Sequence, residues 1–239
     1  MSAGVSIRAL SNIGEAREAA ALIDHVWGEH RIVTPALLLA VSTHGGEVLL
    51  AYEGETIVGA QLAFLGLVGG ELTLHSHITG IDPGAQQKGI GFELKKAQRQ
   101  WCLERSVDIV TWTFDPMIAR NAHFNLRKLG AMGVAFRRDL YGPMEDAINA
   151  GERTDRIEIR WELRSERVDR ALRGGSGEAT RSTSRVMVRI AEDYLAMRAS
   201  EPDRAREERD RVADQLEEAM AGGLVAVDFD AGAYVLEPR

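Results

Sequence analysis

From Ile13 to Trp27 apolar residues recur at helical spacing, with Ala16, Ala19, Ala20, Ile23 and Val26-Trp27 on one stripe, which predicts an amphipathic helix. Val5 to Leu10 before it reads as a short strand. Thr34-Pro35 opens a second helix, with proline at a first-turn position. The period then changes. Val48 to Glu53 and Thr56 to Val68 flank Glu53-Gly54-Glu55 and predict a hairpin. Gly69-Gly70 turns the chain into a further strand, Glu71 to Ile81, and Phe92 to Glu104 is helical again. Val107 to Phe114 is β-branched and aromatic and is stopped by Asp115-Pro116, so it reads as a strand. Ala119 to Gly130 predicts a helix with Gly130 at its C′ position. Ile157, Ile159, Trp161 and Leu163 alternate with charged residues, the signature of a half-buried strand. This order predicts an α/β fold, a mixed sheet with helices on both faces.

Beyond residue 164 the character changes. Arg173-Gly174-Gly175-Ser176-Gly177 and Thr180 to Ser184 are rich in Gly, Ser and Thr, so residues 165–185 read as a flexible linker or exposed loop. Residues 186–239 hold short strands (Val186 to Ile190, Leu224 to Phe229, Ala233 to Leu236) and a charged helix, Pro202 to Ala221. They predict a small C-terminal α/β lobe with too little apolar material to stand alone, packing on residues 1–164 or on a second copy in a homodimer. The charged helix reads as a solvated face. Its apolar stripe would run through Val212, Leu216 and Met220.

With 239 residues, 45% hydrophobic and 27% charged, the chain has enough apolar material for a core. A net charge of −7 argues against a general nucleic-acid binder. One cysteine, Cys102, excludes an internal disulfide and fits a reducing cytoplasm. The longest apolar run, Ala36 to Val41, is too short to span a membrane, and no basic segment followed by an apolar stretch opens the sequence. A cytoplasmic location is expected.

The chemistry concentrates in Ile81-Asp82-Pro83-Gly84-Ala85-Gln86-Gln87-Lys88-Gly89-Ile90-Gly91, between a strand and a helix. Such a turn aims backbone N–H groups at an anion, and the helix N-terminus adds partial positive charge. Gly89 and Gly91 permit close approach. The spacing is neither the dinucleotide fingerprint nor a Walker loop. Gln-x-x-Gly-x-Gly with Asp-Pro before it resembles the acyl-CoA pyrophosphate loop of the GNAT acyltransferase superfamily. The following strand and Ala122 with Lys128-Leu129-Gly130 extend the resemblance, which runs from about residue 5 to residue 164. Ser76-His77, Leu94-Lys95, Gln98-Arg99, Trp112 to Pro116, Phe124-Asn125-Leu126 and Asp155-Arg156 with Trp161 resemble a little-characterised subfamily of predicted acetyltransferases.

The resemblance implies a mostly antiparallel sheet flanked by helices, with acetyl-CoA or another acyl-CoA (succinyl-CoA included) as cosubstrate and a small-molecule amine, such as an amino acid, as acceptor. It implies that pantetheine lies between the fourth and fifth strands and bonds the backbone of Ile78, Thr79, Gly80 and Ile81. Gln86, Gln87, Lys88, Gly89, Ile90, Gly91 and Phe92 would take the pyrophosphate. His75 and His77 lie two apart on one strand face. His77 is the candidate general base, with Glu71 as backup carboxylate, and both histidines read equally as hydrogen-bonded sheet residues. Zinc is not expected, because it takes three or four protein ligands and Cys102 lies on a separate helix.

Ser76, His75, Asp115 and Arg156 are candidate substrate contacts. An Asp-Pro helix start would by itself explain Asp115, and a structural ion pair is the favoured reading of Arg156. Asn121 and Asn125, four apart on one helix, are candidate coenzyme contacts or surface hydrogen-bonding groups. The sequence departs from the family pattern at two places. Leu126 stands where many members carry the Tyr that protonates the leaving thiolate, and Ala119 where a coenzyme-contacting Asn is common. Tyr141 is the candidate replacement acid, a water or unassisted departure being the alternatives. The expected activity is N-acyl transfer by direct attack. A non-catalytic acyl-CoA-binding module and an assembly protein are the rival classes, separated by thiol release from acyl-CoA and by coenzyme affinity.

Overall fold

The computed structural model describes residues 4–28, 32–86, 88–144, 152–175 and 185–239. The chain divides into two compact units, Met1–Val110 with Met144–Gly151, and Thr111–Pro143 with Glu152–Arg239.

The first unit runs β1 (Ser6–Ala9), α1 (Ile13–Trp27), α2 (Pro35–Thr43), β2 (Glu47–Glu53), β3 (Thr56–Val68), β4 (Glu71–Ile81) and α3 (Ile90–Glu104). Its strands lie side by side in chain order, each antiparallel to the next. Asn12 starts α1 by accepting from the Glu15 N–H, and Thr34 starts α2 by accepting from Leu37, with Pro35 behind it. One face of the sheet buries Val48, Leu50, Leu62 and Ile78 under Ala16, Ala19, Ile23 and Leu38 of α1 and α2. The other packs Leu49, Ala51 and Val58 on Ile90 and Leu94 of α3. Full burial of such an aliphatic side chain stabilises by roughly 1.5–3 kcal/mol.

The second unit contains β5 (Ile109–Phe114), α4 (Ala119–Ala122), β6 (Met132–Arg137), β7 (Arg156–Glu162), α5 (Glu166–Leu172), β8 (Val186–Arg189), α6 (Tyr194–Ser200), α7 (Pro202–Ala221), β9 (Leu224–Asp230) and β10 (Ala233–Pro238). The strand order is β5-β7-β6-β9-β10-β8. The helix expected over 119–130 is α-helical only to Ala122 and then widens into a π-helical segment, His123–Lys128. Leu129 N–H donates to the Phe124 carbonyl, five residues back, at 3.0 Å. The wider turn is satisfied from outside. Trp161 Nε1 donates to the Leu129 carbonyl at 2.8 Å, and Arg167 donates to those of Gly130 (2.9 Å) and Leu126 (3.2 Å). Gly130 ends the segment at φ 68°, where a Cβ would come 2.9 Å from that of Ala171.

Arg167 belongs to a stretch expected to be linker. Glu166–Leu172 is instead a helix, capped by Ser165 and burying Val168 and Ala171. Residues 176–184 of that expected linker, and 145–151 of the polar segment before β7, lie outside the described residues. Residues 186–239 share a sheet with β5 to β7: β9 pairs with β6, and α7 packs on β6, β8 and β9. Helix α7 buries Ala205, Val212, Ala213 and Leu216, with Met220 half-buried. Its buried stripe also carries Arg209, so the helix is not the wholly solvated face that its charge content suggests. Among the described residues no helix is long and apolar enough to cross a membrane.

Cutting the chain after residue 164 therefore strips β6 of its β9 partner and uncovers the surface under α7. The 1–164 fragment is expected to aggregate or to melt without a cooperative transition. A fragment that sediments as a monomer and melts at the full-length temperature would refute this.

Candidate functional site

Strand β4 is irregular at one residue. Leu62 of β3 opposes Ile78 and Ala63 opposes Ser76, which leaves His77 as the extra residue of a β-bulge. Bulges re-aim side chains and interrupt pairing, and they recur beside active sites. The His77 ring lies with His75 (centroids 6.2 Å apart) and Phe64 (5.9 Å), and Phe64 lies 5.3 Å from His75. The His77 and Phe64 side chains are exposed there. His77 is open to solvent on one side, while the packed strand and neighbouring rings strip water from the other, which holds its imidazole below its ordinary value and favours the neutral, proton-accepting form near pH 7. Glu71 sits at the far end of β4, six residues and roughly 20 Å along the strand from His77, so the expected backup carboxylate is not brought beside it.

The opposite face of β4 covers a buried polar cluster. Ser76 and Thr79 point to it from β4, Gln61 from β3, Glu47 from β2, and Lys95 and Gln98 from α3. Lys95 Nζ donates to Ser76 Oγ and to Gln98 Oε1, both at 2.9 Å. Gln98 Nε2 donates to Glu47 Oε2 at 2.6 Å and to Ser76 Oγ at 3.4 Å. Gln61 Nε2 donates to the same Glu47 oxygen at 3.0 Å, and Gln61 Oε1 accepts from Thr79 Oγ1 at 3.2 Å. Burial lowers the Lys95 ammonium to about 7, against the pull of Glu47 and Cys102. Burial likewise raises the Glu47 carboxyl, against its hydrogen bonds and Lys95. Lys95, Gln98 and Glu47 were not among the candidate residues. The available signal was that Lys95 and Gln98 lie on the apolar stripe of α3, between Leu94 and Cys102.

Past Ile81 the chain makes a single turn, Pro83–Ala85, which the Asp82 carboxylate starts by accepting from the Gly84 N–H at 2.8 Å. Gly89 follows at φ 79° and begins α3 without a side-chain cap. In that left-handed backbone a Cβ is strained. The loop thus leaves the first turn of α3 as an uncapped helix N-terminus, suited to an anion. Lys88 Nζ rests on Glu53 at 2.8 Å. Gln87 lies outside the described residues. Ile78, Thr79, Gly80 and Ile81 lead directly into the loop along β4.

The remaining candidates stand in the second unit. Asp115 accepts from the Met117 N–H at 2.8 Å and pairs with Arg209 of α7 at 3.0 Å. Arg209 is buried, also pairs with Glu152 (2.9 Å) and contacts the Tyr194 hydroxyl (3.1 Å). Asp115 therefore anchors the C-terminal helix. Asn125 is buried and accepts from Trp112 Nε1 at 3.2 Å. It holds an indole, whereas Asn121 is half-exposed. The Tyr141 hydroxyl meets Thr113 Oγ1 at 3.1 Å. Arg156 is buried 5.5 Å under the Tyr141 ring and donates to the Asp155 carbonyl. Among the described residues no group of three or more His, Cys, Asp or Glu is placed to hold a metal.

No protein-family model matches the chain, and no curated protein matches it. Solved structures do. The ribosomal-protein-S18-alanine N-acetyltransferase of Escherichia coli is 16% identical, with a TM-score of 0.53 over 67% of this chain and 94% of its own. A GNAT-family acetyltransferase from Streptococcus pneumoniae is 15% identical, with a TM-score of 0.54 over 66% and 98%. Arabidopsis thaliana Naa50, solved with a bisubstrate analogue, is 16% identical, with a TM-score of 0.52 over 65% and 97%. The chain has the fold of the GNAT acetyltransferases.

The buried lysine makes stability depend on pH. In the unfolded chain Lys95 binds its proton below its ordinary value of 10.5, whereas in the folded protein it does so only below about 7. The unfolded state thus binds more protons between those limits, and stability from this group rises with pH and is lost as pH falls towards 7. Urea denaturation at about pH 7 and about pH 9.5 should show wild type gaining stability relative to Lys95→Met at the higher pH. A difference independent of pH would refute the shift.

Proposed function

We propose that this chain is an acyl-CoA-dependent N-acyltransferase acting on the amine of a small molecule. The observation that carries this reading is the run of bulged β4, the turn at Pro83–Ala85 and left-handed Gly89 at the start of α3. An uncapped helix N-terminus at the end of a strand suits a pyrophosphate, and the strand's backbone suits the amides of pantetheine. Gln86, Lys88, Gly89, Ile90, Gly91 and Phe92 would hold the phosphates, with Gln87 among them by sequence. Ile78 to Ile81 would bond the pantetheine. The GNAT fold and a neighbour solved with a bisubstrate analogue support the same coenzyme.

In the reaction the acceptor ammonium gives a proton to His77, directly or through water. The free amine attacks the thioester carbonyl, and the sulfur leaves. His77 suits this role because its lowered pKa keeps it unprotonated at neutral pH and because it opens to solvent at the bulge. His75 and Phe64 flank it and would line the acceptor's approach. Acetyl and succinyl are the acyl groups to test first, with amino acids as acceptors.

Gly89→Val forces a β-branched residue into the left-handed region, costing about 1–2 kcal/mol locally, and sets its side chain at the phosphates. It should abolish CoA binding by calorimetry while the circular dichroism spectrum stays unchanged. A folded variant with wild-type affinity would refute the loop assignment. His77→Ala should lower the acyl-transfer rate roughly 10²-fold at neutral pH with little change in CoA affinity. Because its pKa is lowered, the acidic limb of the wild-type profile should fall below about 6.5. The same limb in the variant would clear His77 of the role.

A further inference from the structure

We infer that Ser76, backed by Lys95, protonates the departing coenzyme thiolate, the task that Leu126 leaves without its usual tyrosine. The inference rests on the acyl-CoA reading above and concerns the opposite face of the bulge from His77.

With Lys95 charged and Glu47 ionised, the hydrogen-bond directions in the buried cluster are fixed. Gln98 Oε1 accepts from the Lys95 ammonium while its Nε2 donates to Glu47. A flipped amide would set an NH2 against the ammonium and an oxygen against the carboxylate, so the orientation is fixed. Ser76 Oγ then accepts twice, from Lys95 at 2.9 Å and from Gln98 at 3.4 Å. Its own O–H must therefore donate, and it meets no acceptor among the described residues. Ser76 adjoins the bulge residue, two positions before the strand segment assigned to pantetheine, so on that assignment it lies at the acyl end of the coenzyme. A hydroxyl that is held as a donor and polarised from behind by an ammonium is what a leaving thiolate needs.

The step balances. The amine nitrogen forms its bond to the carbonyl carbon, the C–S bond breaks, and its electron pair stays on sulfur. Ser76 Oγ–H gives its proton to sulfur, and Lys95 gives one to Ser76 Oγ, leaving coenzyme thiol, intact serine and neutral lysine. The new amide nitrogen releases one proton to water. One proton returns to Lys95 through Ser76 once the coenzyme leaves. An ammonium with a pKa near 10.5 would donate poorly, whereas burial brings Lys95 to about 7. The titratable groups facing it are Glu47 from β2 and the Cys102 thiol from α3, with Arg105 acting on Glu47 from further along α3. β3 and β4 present Gln61, Thr79 and Ser76.

The test needs no acceptor amine. The bound thiol of CoA itself can be titrated by thiolate absorbance, against a complex with S-methyl-CoA to subtract the protein. Cys102 is the only cysteine and is pushed up to about 12, so it stays silent. In wild type the bound thiol should titrate about one pH unit or more below free thiol, near 8.5, because Ser76 stabilises the thiolate. Ser76→Ala should restore the free value without changing affinity for S-methyl-CoA. Lys95→Met combined with Glu47→Gln, which leaves no buried charge unpaired, should shift the value the same way. A wild-type value equal to that of free CoA, or a depressed value that survives in Ser76→Ala, would overturn the inference while leaving the coenzyme reading intact. Failure of wild type to bind S-methyl-CoA would sink that reading and this inference together.

Discussion

Helix α3 carries an ammonium into the core of its unit, and the packing of the helix depends on how that charge is held. A lone buried cation costs many kcal/mol, and nature tolerates it only with a counter-charge and filled hydrogen bonds. Glu47 supplies the charge from β2, and Gln98 and Ser76 accept or relay the donors. The same helix presents its N-terminus to the loop at Gly89 and its apolar residues Ile90 and Leu94 to the sheet. The network thus fixes, through one helix, the register of α3 on β2, β3 and β4 and the position of the anion-binding turn.

The second unit solves a similar problem with different residues. Arg209 lies buried on α7 between Asp115 and Glu152, with Tyr194 completing its shell. The guanidinium stays charged at any relevant pH, so this cluster is a fixed anchor. The Lys95 cluster contains two groups whose pKa values burial moves towards each other, and it is therefore the one that can exchange protons.

Much of the architecture was legible in the sequence because it follows from local chemistry. The hairpin turn at Glu53-Gly54-Glu55, the long β4 and the start of α3 near Gly89 rest on turn residues and periodicity, and the elements lie within a few residues of expectation. What escaped depends on distant partners. The π-helical segment exists because Trp161 and Arg167 supply donors to its last carbonyls. Helix α5 was hidden by the Gly/Ser composition that follows it. Arg209 and Lys95 were hidden by their charge, although each occupies a position on an apolar helical stripe: 205, 209, 212 and 216 in α7, and 94, 95, 98 and 102 in α3. A cation on such a stripe signals a buried carboxylate elsewhere in the chain. That rule would have led to Glu47 and Asp115. The bulge at His77 has no local signature, since it is a property of the pairing with β3.

The bulge also explains how one strand can serve two opposed proton tasks. A base and an acid in contact would exchange their proton and cancel. Ser76 and His77 are consecutive, yet Ser76 faces the α3 cluster while His77 turns with His75 and Phe64 to the other face. The strand backbone separates them. On the proposed reading, the reacting carbon lies beside the edge of the strand at this residue pair, with the amine turned towards the base and the sulfur towards the donor. The proton removed from the acceptor then leaves by the exposed imidazole. The one delivered to sulfur comes from the buried lysine. On that reading the chain needs no second acid at Leu126, the position where the family resemblance expects one.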